Sequence, residues 1–338
     1  MAKLKYYALC SRGIPAVKRH LNYIPKEDLV IVLNSFNEGF VAEASDWCAE
    51  QGVEHYITES DGTPSTGKNS VFDLFLASDN DYMVLVDGDD FITPHGLVTY
   101  DKIAQLETPP DAVALEYQYG ILPNEGYSVT LASMGQSGEG FASRDAEDRT
   151  NQDHVHGWGT RIFIHPIEWW EKTLSGTAVD VFSDFTQQCS DEHQKLYTTE
   201  HKYINGWETH LRITFYSRKA ATGYRFDPEL LVGEDTMQYF QLKNSWVNGD
   251  ISLVHLHETY PTYVYDQRIE GVVRWANERD DGTGWLDWMT KLNTTFQAYE
   301  DAGKMHTDIP ERIELEFDEA YRPDTLGLVN YPCRTIKY

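Results

Sequence analysis

The apolar run "YMVLVDGDD", which begins at Tyr82, ends in a crowd of carboxylates: Asp87, Asp89 and Asp90. Like charges this close are unfavourable unless a cation or solvent compensates them. Their hard oxygen donors suit Mg2+ or Mn2+, ions that also bridge the two phosphates of a diphosphate. A solvated acidic turn after a strand would use the same residue types, because Asp and Gly are both turn formers. Far downstream, "YRFDPELLVGEDTMQYFQL" sets Gly-Glu-Asp ahead of a helical pattern carrying Met237, Phe240 and Leu242. Glu234 and Asp235 would then stand at a helix N-terminus, whose dipole and unpaired N–H groups favour an ionised carboxylate. Such a carboxylate can act as a general base at neutral pH, although helix capping alone would ask for the same residues.

A third stretch, "GTPSTGKN" over residues 62–69, falls one residue short of a P-loop. A Walker A lysine is followed by Ser or Thr, whose hydroxyl ligates Mg2+. Here Asn69 follows Lys68, and Ser70 comes one place late. Pro64 also removes a backbone N–H that would otherwise face phosphate. Only about 13 residues separate Lys68 from the acidic strand, room for a single crossover helix. A P-loop NTPase is therefore kept only as an alternative.

These groups need a scaffold, and the first 90 residues alternate strand and helix patterns. Strands are expected over 6–11, 28–35, 54–60 and 82–87, the second being an unbroken apolar run of the kind buried on both faces. Helical stretches fall between them. The first covers 16–24, and the second opens with a capping box at Ser35 and Glu38 and repeats Phe40, Ala44, Trp47 and Cys48. The third runs over 69–78 with Val71, Leu74 and Phe75 on one face. Such repetition implies a parallel, right-handed, doubly covered sheet. Ligands of these sheets sit at the carboxyl ends of strands, which here carry Ser11, Arg12, Asn34, Ser35, Asp61, Gly62 and the three aspartates. Residues 120–157, rich in Gly, Ser, Asn and Asp, are expected to form a long loop containing a hairpin. Strand patterns return over 160–165, 210–217 and within 251–265, and a helical pattern covers 284–303.

Lys and Arg number 28 against 54 Asp and Glu, a net charge of −26 that disfavours bulk nucleic-acid binding. Two short basic segments, "VKRH" over 17–20 and "YSRK" over 216–219, could still form local patches. Hydrophobic content of 41% supplies a core for one large α/β domain. The 21 Tyr and 9 Trp would suit sugar- or base-stacking surfaces as well as ordinary packing. Cys10, Cys48, Cys189 and Cys333 form no CxxC pair, which argues against a zinc knuckle or a dense disulfide framework. No apolar leader and no apolar run approaching about 18 residues is present, so a cytoplasmic protein without a membrane span is expected (host cytoplasm if viral).

The order of three strands, a Lys-Asn helix, "VLVDGDD" and then "RFDPELLVGEDT" resembles a GT-A glycosyltransferase of the family 2 type, over roughly residues 5–275. "TRIFIHPIEW", "FYSRKA" and "YPTYVYDQRIEGVVRW" resemble the segments that flank that family's base. The resemblance implies a Rossmann-like α/β fold, with a mostly parallel central sheet flanked by helices and a helical C-terminal extension. Residues 1–115 would form the donor half, 116–265 the acceptor and catalytic half of the same domain, and 266–338 the extension. It implies a nucleotide-sugar donor, UDP-sugars favoured, and Mn2+ or Mg2+ as cofactor.

Asp87 would contact the nucleoside and, with Asp89, the metal, while Asp90 would approach the sugar. Ser11, Arg12, Asn34, Lys68 and Asn69 would line the donor, with Asn34 standing where the family usually places Asp against the base ring. The family sometimes lends a late His to the metal. His255 and His257, on one side of a strand, are both candidates for that role and equally for a structural one. Trp158 and Arg161, in "HVHGWGTR", are candidates for the acceptor. Asp235, with Glu234 beside it, would deprotonate an acceptor hydroxyl that attacks the anomeric carbon with inversion. The acceptor would be a saccharide, a protein, a small molecule or, against the charge, a hydroxymethylated base of phage-type DNA. A silent carbohydrate-binding relative would not need Asp87, Asp89 and Asp235 kept together.

Overall fold

The computed structural model describes residues 2–60, 62–115, 117–121, 127–134, 159–166, 212–231, 233–256, 262–266, 284–306, 308, 310–313 and 315. The expected alternation is present at the start of the chain. Strand β1 (Leu4–Cys10) leads through α1 (Ile14–His20) to β2 (Leu29–Leu33), and α2 (Glu38–Gln51) leads to β3 (Glu54–Ile57). Helix α3 (Pro64–Ala77) then crosses to β4 (Tyr82–Asp87), followed by the short β5 (Phe91–Ile92) and α4 (Pro94–Ala104). Two local expectations are corrected. Helix α2 is capped by Asn37, whose side chain accepts from the Phe40 N–H, and not by Ser35. Helix α3 begins at Pro64, five residues before the expected start at Asn69, because proline's fixed φ suits the first helical position.

The later elements are β6 (Ala112–Leu115), β7 (Tyr117–Ile121), β8 (Tyr127–Met134), β9 (Gly159–Pro166) and β10 (Arg212–Ser217). They continue with α5 (Arg218–Gly223), α6 (Glu234–Val247), β11 (Leu253–Leu256), β12 (Tyr263–Asp266), α7 (Gly284–Asp301) and β13 (Glu311–Ile313). Eight strands form the central sheet in the order β13-β11-β6-β10-β4-β1-β2-β3, all parallel to their neighbours except β10. A second sheet, β5-β12-β7-β8-β9, pairs β7 antiparallel with β8, and most of the long loop with a hairpin expected over 120–157 lies outside the described residues.

Alternation along the central strands sends side chains to two cores. Tyr7, Leu9, Val30, Val32, Met83 and Leu85 pack under α3, α5, α6 and α7, where Phe72, Phe75, Phe226, Phe240 and Phe296 are buried. Tyr6, Ala8, Leu29, Ile31, Leu33, Val84 and Val86 pack on the other face against α1, α2 and α4. Full burial of each large apolar side chain contributes roughly 2 kcal/mol, so both faces anchor the strands whose ends carry the acidic residues. Among the described residues no helix is long and apolar enough to cross a membrane.

The two basic segments do not form surface patches. In 17–20 only Lys18 is exposed, while Val17 and His20 are buried and Arg19 reaches the acidic turn. In 216–219, Tyr216 is buried and Arg218 donates to the carbonyls of Phe75, Leu76, Ser78 and Asn80 at the end of α3.

Candidate active site

Three parallel strands, β1, β2 and β4, end at one edge of the central sheet, and β10 brings its first residue to the same edge because it runs antiparallel. Asp87 is the last residue of β4. The chain then turns so tightly that Gly88 N–H donates to Leu9 O at 2.8 Å, and a Cβ on Gly88 would lie 2.6 Å from the Cys10 Cα. Glycine is required there by that contact. The turn is fixed from outside as well: Arg19 of α1 donates to the carbonyls of Asp89 and Asp90, the latter at 3.0 Å. The result is a cluster in which Asp87, Asp89 and Asp90 each present a carboxylate oxygen within 4.8 Å of the others.

The three acids are not equivalent. Burial disfavours the charge on Asp87, but Arg212 and Lys68 outweigh it and hold the carboxyl at about 2. Arg212 Nη2 lies 2.6 Å from Asp87 Oδ2, and Lys68 Nζ lies 3.6 Å from Oδ1. The last distance is too long for a hydrogen bond, and Asp87 Oδ1 has no hydrogen-bond partner. For Asp89, burial and then the charge of Asp87 push the carboxyl up to about 6. Asp90 is fully buried and accepts from the Tyr263 hydroxyl, which itself accepts from the Asp87 N–H at 3.1 Å. Burial, followed by the charge of Asp89, raises the Asp90 carboxyl well above the usual range.

Across from this turn stands the start of α6. Gly233, in the left-handed region at φ 72, turns the chain into the helix, and Leu292 of α7 packs where a Cβ would be. Glu234 and Asp235 occupy the first turn, where the helix dipole favours negative charge. Lys68 joins the two halves: its Nζ donates to Glu234 Oε1 at 2.8 Å and to Asp235 Oδ1 at 2.6 Å. Burial opposes the ammonium charge, yet Asp235, Asp87 and Glu234 raise its pKa well above the ordinary value. Burial also pushes Glu234 up to about 6, against the pull of Lys68. Arg212 forms a second link, with Nη1 at 3.5 Å from Asp90 and 3.7 Å from Asp235 Oδ2, and its guanidinium lies 4.5 Å over the Tyr263 ring.

The structure therefore gathers Lys68, Asp87, Asp89, Asp90, Glu234 and Asp235 at one place. Asn69 is directed elsewhere: its amide donates to Phe226 O and accepts from Phe226 N, both at 2.9 Å. Asn34 is buried, donating to Thr63 O at 3.0 Å and accepting from the hydroxyls of Thr58 and Ser60. Ser11 and Arg12 follow β1 and are half-buried. His255 is fully buried, with Nε2 at 3.2 Å from the Tyr239 hydroxyl, and it is not part of the aspartate cluster. His257 and Trp158 lie outside the described residues, and of Arg161 the structure describes the backbone in β9. Sequence reasoning missed Arg212, Tyr263 and Arg19. The signal for Arg212 was a lone cation opening the apolar strand "RITFY", and Tyr263 lay in a tyrosine-rich stretch from which no residue was singled out.

No family model and no curated protein matches the chain. Among solved structures it is similar to residues 1–349 of S. aureus TarS in complex with UDP-GlcNAc, at 12% identity and a TM-score of 0.43, over 80% of this chain and 60% of that one. A longer S. aureus TarS structure is matched at 11% identity and a TM-score of 0.41, over 78% of this chain and 36% of that one. A mannosyltransferase from Pyrobaculum calidifontis, PcManGT, in complex with GDP-Man and Mn2+, is matched over 33% of this chain and 35% of that one, at 15% identity and a TM-score of 0.27. The chain thus spans less than two thirds of the length of these structures.

Proposed function

We propose that the chain is a metal-dependent, inverting glycosyltransferase of the GT-A type that moves a sugar from a nucleotide diphosphate donor, UDP-sugars favoured, to an acceptor hydroxyl. One observation carries the reading: a carboxylate cluster able to hold a cation faces a helix-start carboxylate across a single buried lysine. The cluster fits Mn2+ or Mg2+ in its chemistry. Its donors are all oxygen, Asp87 Oδ1 lacks a hydrogen-bond partner, and the charge on Asp89 is resisted by its surroundings. Asp89 and Asp87 Oδ1 would hold the ion. When bound, the cation offsets the charge of the diphosphate as it leaves.

The protein's own part is acid–base and positional. Asp235 Oδ1 is engaged by Lys68, whereas Oδ2 has no cation closer than Arg212 at 3.7 Å among the described residues, and the side chain is 32% exposed. Oδ2 is therefore the atom that takes the acceptor proton. The acceptor oxygen forms its bond to the anomeric carbon as the bond to the diphosphate oxygen breaks, with inversion, and the proton ends on Asp235. Arg212 and Lys68 keep Asp87 ionised throughout.

The P-loop alternative fits poorly. Residues 64–69 are helix, and Lys68 is committed to carboxylates. The test is thermal stabilisation by UDP-, GDP- and CDP-sugars with Mn2+, for wild type and Asp89→Ala. At least one donor should raise the wild-type Tm by several degrees and leave the variant unmoved. No response in the wild type, or an equal response in both, rejects the donor site.

A further inference from the structure

We infer that Lys68 is a positioning residue that sets the general base Asp235 in register with the metal carboxylate Asp87, and that it is not a donor ligand; the inference rests on the glycosyltransferase reading above. Its side chain is 2% exposed, and three carboxylates surround its ammonium. An ammonium has three N–H donors. Two go to Glu234 Oε1 and Asp235 Oδ1, and Asp87 Oδ1 stands 3.6 Å away. With that side chain buried and ringed by negative charge, a phosphate approaching it would meet three carboxylates first.

The helix that carries Lys68 is tied to the segment that delivers the base. Asn69 clasps both backbone groups of Phe226, and Arg225 Nη1 donates to Asn69 O at 3.1 Å. The Arg225 guanidinium also pairs with Asp73 at 2.7 Å, and the Ser65 hydroxyl donates to Leu230 O at 2.6 Å. Helix α3 and residues 225–230 are thus fastened at several points, within a few residues of Gly233. Asp87 is held by β4 and Asp235 by the start of α6; Lys68 spans them with a direct hydrogen bond to the base, and Arg212 spans them with a longer contact to it. Glu234 has a defined part in this arrangement: it supplies a second carboxylate, so the ammonium is charge-balanced without drawing wholly on Asp235. Asp235, being partly exposed, would otherwise be free to change rotamer.

Lys68→Met tests the inference directly, and Lys68→Met with Glu234→Gln removes one charge of each sign so that a folding failure of the single variant does not leave the question open. In the folded double variant kcat should fall roughly 100-fold, the scale expected when a reacting group is misplaced by about 1 Å. Donor KM should stay within about threefold of wild type, because the loss is of geometry and not of donor contacts. Mn2+ binding, followed by electron paramagnetic resonance, should not weaken, since a cation competing for Asp87 is gone. Lys68→Arg, which keeps the charge, should retain more kcat than either Met variant. A double variant with wild-type kcat, or one whose loss lies in donor KM alone, overturns the inference. If the wild type transfers no sugar from any donor, the functional reading has failed by itself. A crystal structure of the double variant then decides this point separately: Asp235 displaced relative to Asp87 supports the inference, and Asp235 in place overturns it.

Discussion

Asp89 carries a charge that its surroundings resist. Burial and the neighbouring Asp87 raise its carboxyl from 3.8 to about 6, and a rise of about two units is worth ~3 kcal/mol. Because the folded-state value is raised, the stability it contributes is present below 3.8 and is lost as pH climbs through about 6. Metal-free Asp89→Asn should therefore be more stable than metal-free wild type at about pH 7, by up to ~3 kcal/mol, with the gap closing toward acid at about 1 kcal/mol per pH unit. The difference between the two denaturation curves is the quantity to measure. Buried His20, lowered to about 3 by burial and Arg19, weakens both proteins as pH falls below 6.5, so its effect cancels in that difference. Saturating Mn2+ should reverse the ranking, since a site filled at about 1,000 times Kd adds ~4.1 kcal/mol to the wild type alone. A variant no more stable than wild type at neutral pH would mean that Asp89 is relaxed, and the case for a built cation site would go with it.

At the scale of elements, the turn that presents the proposed base is held by a contact that no local pattern announces. Gly233 sits at φ 72, and Leu292 Cδ2 would lie 2.5 Å from an added Cβ. Gly233→Ala should cost about 1–2 kcal/mol for the left-handed backbone and a further ~1–3 kcal/mol for overpacking against α7. Leu292→Ala alone should cost ~2–5 kcal/mol, but less when added to Gly233→Ala, because the cavity admits the new methyl. A double-mutant cycle on melting midpoints checks this, and strictly additive costs would show that α7 does not press on the turn. The same elements show what could be read in advance. β4 was legible to the residue, since a continuous apolar run closed by charges has few other readings. The start of α3 was missed because Pro64 was weighed as a breaker of a phosphate loop, when at the first helical position it is a starter. Arg212 was missed because its place beside Asp87 depends on β10 running antiparallel between β6 and β4, a pairing set by residues far apart in sequence.

For the whole molecule the dominant quantity is the net charge of −26, which acts differently on the two species the site would bind. A divalent cation is drawn in by that field, and a doubly charged diphosphate donor is repelled until it reaches the metal. Raising ionic strength from about 0.01 M to about 0.1 M shortens the screening length from about 30 Å to about 10 Å and weakens both effects. Mn2+ affinity should therefore fall across that range, while kcat/KM for the donor, measured with the metal site kept saturated, should rise or hold. An enzyme that steers its anionic substrate through a basic surface would show the opposite donor trend. In the two basic segments the arginines are spent internally, Arg19 in holding the acidic turn and Arg218 in capping α3, which leaves only Lys18 and Lys219 exposed. A steep loss of donor kcat/KM with salt at saturating Mn2+ would place a basic entry surface outside the described residues, and it would reopen phosphate-rich acceptors such as modified DNA.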